Sequence, residues 1–192
     1  MKREDINSIA IALERTADLI PVESAHLIVP PTPGYYSIFV DNPANLPQPF
    51  RDRLCLKNTR LIYIGIATVS LFERLIQQDL RHKSPSTFFR GIGAVLGYRP
   101  PSGSLVGKSN QKNYGFSPAD TRAIIAWNQE HLSVRFVAVD AAFPNAEQNA
   151  IGRSCPIMNT THNPDCLSAL ADLRSECRSI ACEAPKSRKR CS

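Results

Sequence analysis

Apolar residues recur at helical spacing near the start of the chain. Ile6, Ile9, Ala10, Leu13, Ala17 and Ile20 share one face, and Pro21 stops the pattern. A link containing Pro30, Pro31 and Pro33 leads to residues 34–40, whose aromatic and β-branched side chains predict a strand. Residues 41–60 hold three more prolines among several charges and read as a long loop, before a second strand over 61–66. Ser70 and Glu73 then have the spacing of a capping box, ahead of a helix that buries Leu71, Leu75 and Ile76 and carries Arg74. A further helix is expected over 86–96, with Phe88, Phe89, Ile92, Val95 and Leu96 inward and Gly97 as its stop. Ser117-Pro118 opens another, since Ser suits the cap and Pro the first turn; it holds Ile124, Ile125 and Trp127. A strand over 133–139 and a short helix after Pro144 follow. Cys166, Leu170, Leu173, Cys177 and Ile180 then mark one face of a last helix, which makes Cys166 and Cys177 core residues. Few, mostly antiparallel strands with helices around them predict an α+β domain: a small mainly antiparallel sheet flanked by helices.

Composition narrows the class. Of 192 residues, 43% are hydrophobic and 21% charged, which fits a globular chain. No run approaches the ~18 apolar residues of a membrane span. The charged opening Met1–Asp5 lacks the apolar stretch of a signal peptide, so a cytoplasmic location without membrane contact is expected. The formal net charge of +6 is unevenly spread: residues 51–112 carry 11 basic and 3 acidic side chains. That concentrated positive field suits a polyanion such as nucleic acid, with Arg81, His82, Lys83, Arg90, Lys108 and Lys112 as the candidate contacts. A further basic cluster, Lys186 to Arg190, reads as a mobile tail.

Two motifs fail on inspection. The segment Gly103 to Ser109 resembles a P-loop but has three residues between its glycines where four are needed, and it follows Pro100-Pro101 rather than a strand. It reads as a basic loop. The six cysteines contain no C-x-x-C pair, which argues against a structural zinc site.

One constellation holds. Gly34-Tyr35-Tyr36 on the first strand and Tyr63-Ile64-Gly65 on the second resemble the two halves of the GIY-YIG nuclease signature. Arg74 stands on the helix after the second strand, Glu147 on the later helix, and Pro156 and Asn159 just downstream, each where the family places that residue type. The resemblance covers residues 33–164 and extends to bacterial, stand-alone or restriction-enzyme-like members. It departs from the family in two respects. The signature halves are usually joined by a short turn, whereas 27 positions separate Tyr36 from Tyr63. Gln78 stands where the family often has His or Tyr, and His82, one helical turn further on, is the candidate substitute.

The resemblance implies a nuclease domain over 30–164, with an N-terminal helical extension (1–29) and a C-terminal helix and basic Cys-containing tail (165–192). It implies metal-dependent endonuclease cleavage of DNA. Tyr36, Tyr63, Arg74 and Glu147 would be catalytic, Glu147 would hold one Mg2+ (or Mn2+), and Gly34, Gly65 and Asn159 would give structural support. The residue types suit that chemistry. One carboxylate can hold a Mg2+ that keeps most of its waters, and an arginine fork matches phosphate oxygens. Which tyrosine activates water stays open at this point. The alternative is a catalytically idle nucleic-acid-binding module with the same fold.

Overall fold

The computed structural model describes residues 3–183. Strand β2 (Gly34–Val40) runs through the centre, and every one of its residues is buried. It pairs antiparallel with β3 (Leu61–Ala67) on one side and with β4 (Leu132–Ala138) on the other. A two-residue strand β1 (Ile20–Pro21) adds to β4, giving the order β1-β4-β2-β3. Pro21 sits on this outer strand, where a missing N–H costs no ladder bond. The expected α+β class and antiparallel sheet are what the structure has.

Helices cover both faces of the sheet, which is why β2 is buried throughout and, Ser37 apart, does not alternate apolar with polar. On one face α1 (Arg3–Glu14) and α6 (Pro144–Ser154) bury Ile9, Ala10, Leu13, Ala146, Ala150 and Ile151 against Tyr35, Phe39, Leu61 and Ile64. On the other, a π-helix (Phe72–Leu80), α4 (Thr87–Val95) and α7 (Ser168–Cys182) pack with Tyr36, Ile38, Val40 and Ile62. A bulge between Ile38 and Phe39 shifts the register against β3, so Leu61 and Ile64 share a face that strict alternation would deny them. α5 (Pro118–His131) completes this layer, capped by Ser117, whose oxygen accepts from the Asp120 amide at 3.1 Å. Among the described residues no helix is long and apolar enough to cross a membrane.

Several boundaries differ from those expected. The first helix ends at Glu14, and Asp18 takes a left-handed conformation at φ 57° that releases Ile20 into β1. A short helix α2 (Val22–Ala25) follows directly. The 41–60 stretch is no simple loop, because it holds α3 (Phe50–Lys57). Phe50 and Leu54, one turn apart, carry α3's whole buried face, and Asn58 ends it at φ 50°. Leu56 on the same helix is exposed, so its apolar residues show no clean period, and the preceding prolines masked the start. Cys166 is exposed and precedes α7, so of the two cysteines expected in the core only Cys177 is there. The basic tail from Lys186 to Arg190 lies outside the described residues.

Candidate active site

The two signature glycines are steric necessities. A Cβ on Gly65 would come within 2.4 Å of the Tyr36 ring and hydroxyl, and one on Gly34 within 2.4 Å of the Val137 carbonyl oxygen. Tyr36 therefore lies across β3 where position 65 offers no side chain, and any residue but glycine would displace its phenol. Tyr63 sits alongside, its ring 6.3 Å from that of Tyr36 and 5.1 Å from Phe88. Tyr36 is fully buried; Tyr63 is 7% exposed.

The Tyr36 hydroxyl donates to the Asp79 carboxylate, which also accepts from the Ser86 hydroxyl at 2.6 Å and faces Arg74 Nη1 at 3.3 Å. The sequence predicts this helix from Leu71, Leu75 and Ile76. Asp79 is fully buried with them and joins Tyr36, Arg74 and the cap of α4. The local backbone explains how. Positions 74 and 79 would be about 140° apart around an α-helix of 3.6 residues per turn. In a π-helix they are one hydrogen-bonded turn apart, which brings the guanidinium and carboxylate together. Burial raises the Asp79 pKa, opposed by Arg74 and by the bonds from Ser86 and Tyr36. Burial also raises both tyrosines, with the Asp79 charge second; Arg74 pulls both the other way. The Arg74 guanidinium, surrounded by Tyr36, Asp79, Tyr63 and Glu147, stays charged.

Glu147 reaches the same region from the first turn of α6. Burial pushes its pKa up to about 6, against the pull of Arg74 and of the Ile66 backbone. Asn159 holds the outer edge of β3 through both ends of its amide: Oδ1 accepts from the Ile64 N–H and Nδ2 donates to the Ile64 carbonyl, each at 2.9 Å. Met158 N–H adds a bond to the Ile62 carbonyl at 2.9 Å. Residues 62 and 64 thus turn their backbone groups outward, and Met158 and Asn159 meet them in turn. Tyr63, Glu147, Asn159, Thr87 and Arg174 line one cavity of about 270 Å³. Arg74 lines a second, of about 540 Å³, with Glu73, Lys83 and Ser84.

The structure therefore brings Tyr36, Tyr63, Arg74 and Glu147 into one electrostatic neighbourhood. Over just this region, residues 34–178, the chain matches the family model of the GIY-YIG catalytic domain. The chain belongs to the GIY-YIG family. The family's activity is that of nucleases, so nucleic acid is its substrate class, and GIY-YIG nucleases generally use a divalent metal ion. Neither a curated protein nor a solved structure matches the chain.

The other expected contacts scatter. Gln78, at the family's His/Tyr position, donates to the Pro85 carbonyl at 2.6 Å and so pins the loop before α4. The His82 ring stacks on Phe89 at 4.2 Å, and burial and Arg90 push its pKa down. Lys83 lies in the Arg74 cavity, whereas Arg90 and Lys112 line a third. Arg81 is half-buried and Lys108 exposed, and neither lines these cavities. Two functional candidates escaped the reading of the sequence: Asp79 and Arg174. Each is a charged residue in the apolar phase of its helix, Asp79 with Leu75 and Ile76, Arg174 with Leu170 and Cys177.

Proposed function

We propose that this GIY-YIG protein is a metal-dependent endonuclease that hydrolyses phosphodiester bonds in DNA. The observation that carries the reading is the shared cavity of Tyr63 and Glu147, with Arg74 close enough to bias the ionisation of both. Glu147 is the residue that would hold the divalent cation, Mg2+ or Mn2+. Its carboxyl fits: it faces a cavity, and above about pH 6 it carries a charge that burial makes costly to leave uncompensated. Asp79 is not available, because Tyr36, Ser86 and Arg74 already engage its oxygens. A cation held by Glu147 would supply Lewis-acid stabilisation for the negative charge on the 3′ oxygen.

Hydrolysis forms a bond from a water oxygen to phosphorus and breaks the bond from phosphorus to the 3′ oxygen. Of the two tyrosines, Tyr63 is the one that meets this water, since Tyr36 is fully buried with its proton committed to Asp79. Tyr36 instead positions Asp79 and, through it, Arg74. Arg74 offers its planar fork to the non-bridging phosphate oxygens, where charge grows in the transition state. Tyr63 orients the water through its hydroxyl oxygen, and Arg74 lowers the cost of negative charge on that phenol. Gly34, Gly65 and Asn159 serve by shaping β2 and β3 around these groups.

Plasmid nicking with Mg2+ against EDTA tests the proposal. Wild type is expected to nick only with the cation, and Glu147→Gln to abolish nicking while DNA affinity stays within a few-fold. A Glu147→Gln variant that cuts at the wild-type rate overturns the assignment. DNA binding without cleavage by the wild type in either Mg2+ or Mn2+ would leave the idle nucleic-acid-binding module as the function.

A further inference from the structure

Beside the Tyr63–Glu147 cavity lies another, of about 180 Å³, whose walls include Arg90, Lys112, Arg174 and Arg178 with Thr87 and Tyr114. Four of its lining residues are cationic and none is acidic. Among the described residues, none of the four cations has a carboxylate within ion-pair distance. The acids on α7 are turned elsewhere: Glu176 pairs with Arg99 at 2.8 Å, and Asp172 lines a separate, largely apolar hollow.

The arginines are held in place but not neutralised. Arg174 Nη2 donates to the carbonyls of Met158 at 3.2 Å and Thr87 at 3.3 Å, and Nη1 to the Thr160 hydroxyl at 3.4 Å, while its Nε is buried with no partner. A Cβ on Gly91 would come within 2.6 Å of Arg174 Nη2, so α4 leaves a groove for this guanidinium. Arg90 lies over the Tyr114 ring at 5.7 Å, and its Nη1 is likewise buried and unpartnered. Burial disfavours the charge on both, and no acid offsets it. A buried cation with free donors and no counter-ion is stabilised by an anion with several acceptor oxygens.

Thr87 and Arg174 line this cavity and also the one that holds Tyr63 and Glu147. The two are neighbours across one guanidinium. A cube of the smaller volume is about 6 Å on edge, room for one phosphate with its sugar and not for a double helix. We propose that this cavity binds a backbone phosphate of the nucleic-acid strand, next along that strand from the phosphate presented to Glu147. The substrate class rests on the function proposed above. The consequence is that α7 belongs to the substrate site, through Arg174 and Arg178, and fixes which bond along a strand reaches Glu147.

The test is binding of a short labelled DNA duplex and of its single strands in EDTA, over a salt series, with no cleavage. Lys112→Ala with Arg178→Ala removes two exposed cations, so the fold is retained. The pair is expected to weaken binding about tenfold and to lower the salt slope by roughly two. Arg15→Ala with Arg122→Ala removes the same charge from exposed positions elsewhere and is expected to leave both quantities near wild type. Methylphosphonate replacement of one phosphate at a time should weaken wild type at one or two positions, and the Lys112/Arg178 variant no further at those. Equal losses for the two double variants, or uniform sensitivity along the strand, overturn the proposal. So does calorimetry in which inorganic phosphate saturates wild type but not the Lys112/Arg178 variant while DNA affinity is the same for both; that result makes the cavity a site for free phosphate. A wild type that does not bind DNA overturns the proposed function itself, whereas a wild type that binds and a variant that binds equally overturn only this cavity's role.

Discussion

Two arginines approach the tyrosine–glutamate cleft from different helices, and the protein treats them oppositely. Arg74 on the π-helix meets a fully buried carboxylate, Asp79, at 3.3 Å, and its neighbours hold it charged. Arg174 on α7 meets carbonyls and a hydroxyl, has an unpartnered Nε, and has its pKa lowered by burial with no carboxylate to oppose it. A guanidinium with a built-in counter-ion is fixed in place before substrate arrives and can act on charge that appears only during reaction. One without a counter-ion gains most from an anion already present in the ground state. Under the proposed function, the contrast predicts that Arg74 acts on rate and Arg174 on affinity.

Removing the counter-ion breaks the comparison most severely. Asp79→Ala leaves the Tyr36 and Ser86 hydroxyls without their partner and Arg74 without its charge. Because Arg74's side chain keeps 29% of its exposure, solvent recovers part of the loss, and about 3 kcal/mol of stability is expected to go. Urea midpoints measure it, and nicking should be lost with it. A midpoint shift worth less than about 1 kcal/mol would mean that Asp79 is not the hub of this cluster.

Lysine substitutions compare the two arginines directly, since each keeps the charge and removes the fork. Arg74→Lys is expected to lower kcat by ~10² with affinity little changed. Arg174→Lys is expected to raise the DNA Kd several-fold and leave kcat at saturating DNA near wild type. Single-turnover cleavage alongside equilibrium binding separates the two. If Arg74→Lys alters Kd alone, it is an ordinary phosphate contact and the contrast collapses.

Much of this arrangement was legible in the sequence, for reasons that differ by residue. The strands over 34–40 and 61–66 are visible because short aromatic and β-branched runs have few alternatives, and Pro33 marks where the first begins. Tyr36, Tyr63, Arg74 and Glu147 were found through their order and type, not through any local pattern of chemistry. Asp79 stayed hidden because its pairing with Arg74 depends on a π-turn, and an α-helical reading puts the two on different sides. Arg174 stayed hidden because the cysteines around it drew a core reading of α7, true of Cys177 but not of Cys166. For both, a signal was present: a charge in the apolar phase of an amphipathic helix has to find a buried partner or a ligand. α3 gave no such signal, because only Phe50 and Leu54 of its apolar residues are buried and Pro47 and Pro49 precede it closely.

The smallest expected effect concerns the carboxylate between the two arginines. Glu147 is raised from 4.5 to about 6 by burial, and of the two arginines only Arg74 opposes that rise. Between those values the folded protein binds more protons at this site than the unfolded chain does, so stability falls as pH rises through the window and the deficit is complete above about 6. The shift corresponds to about 2 kcal/mol, and because the group is only partly buried, solvent screening reduces that to about 1–2 kcal/mol. Glu147→Gln removes the titration. The variant is therefore expected to be more stable than wild type at pH 7 by about that amount, and to match it more closely below pH 5. Adding Arg74→Gln to wild type should move the Glu147 midpoint further up, whereas Arg174→Gln should leave it in place. Urea midpoints from pH 4 to 8 and carboxyl NMR titration report the two quantities. A divalent cation should restore stability to wild type above pH 6 and not to the variant, because only the ionised carboxylate gains a counter-charge. A Glu147→Gln protein no more stable than wild type at pH 7 would mean that the carboxylate is already compensated within the fold, and the case for its holding a cation would fall with it.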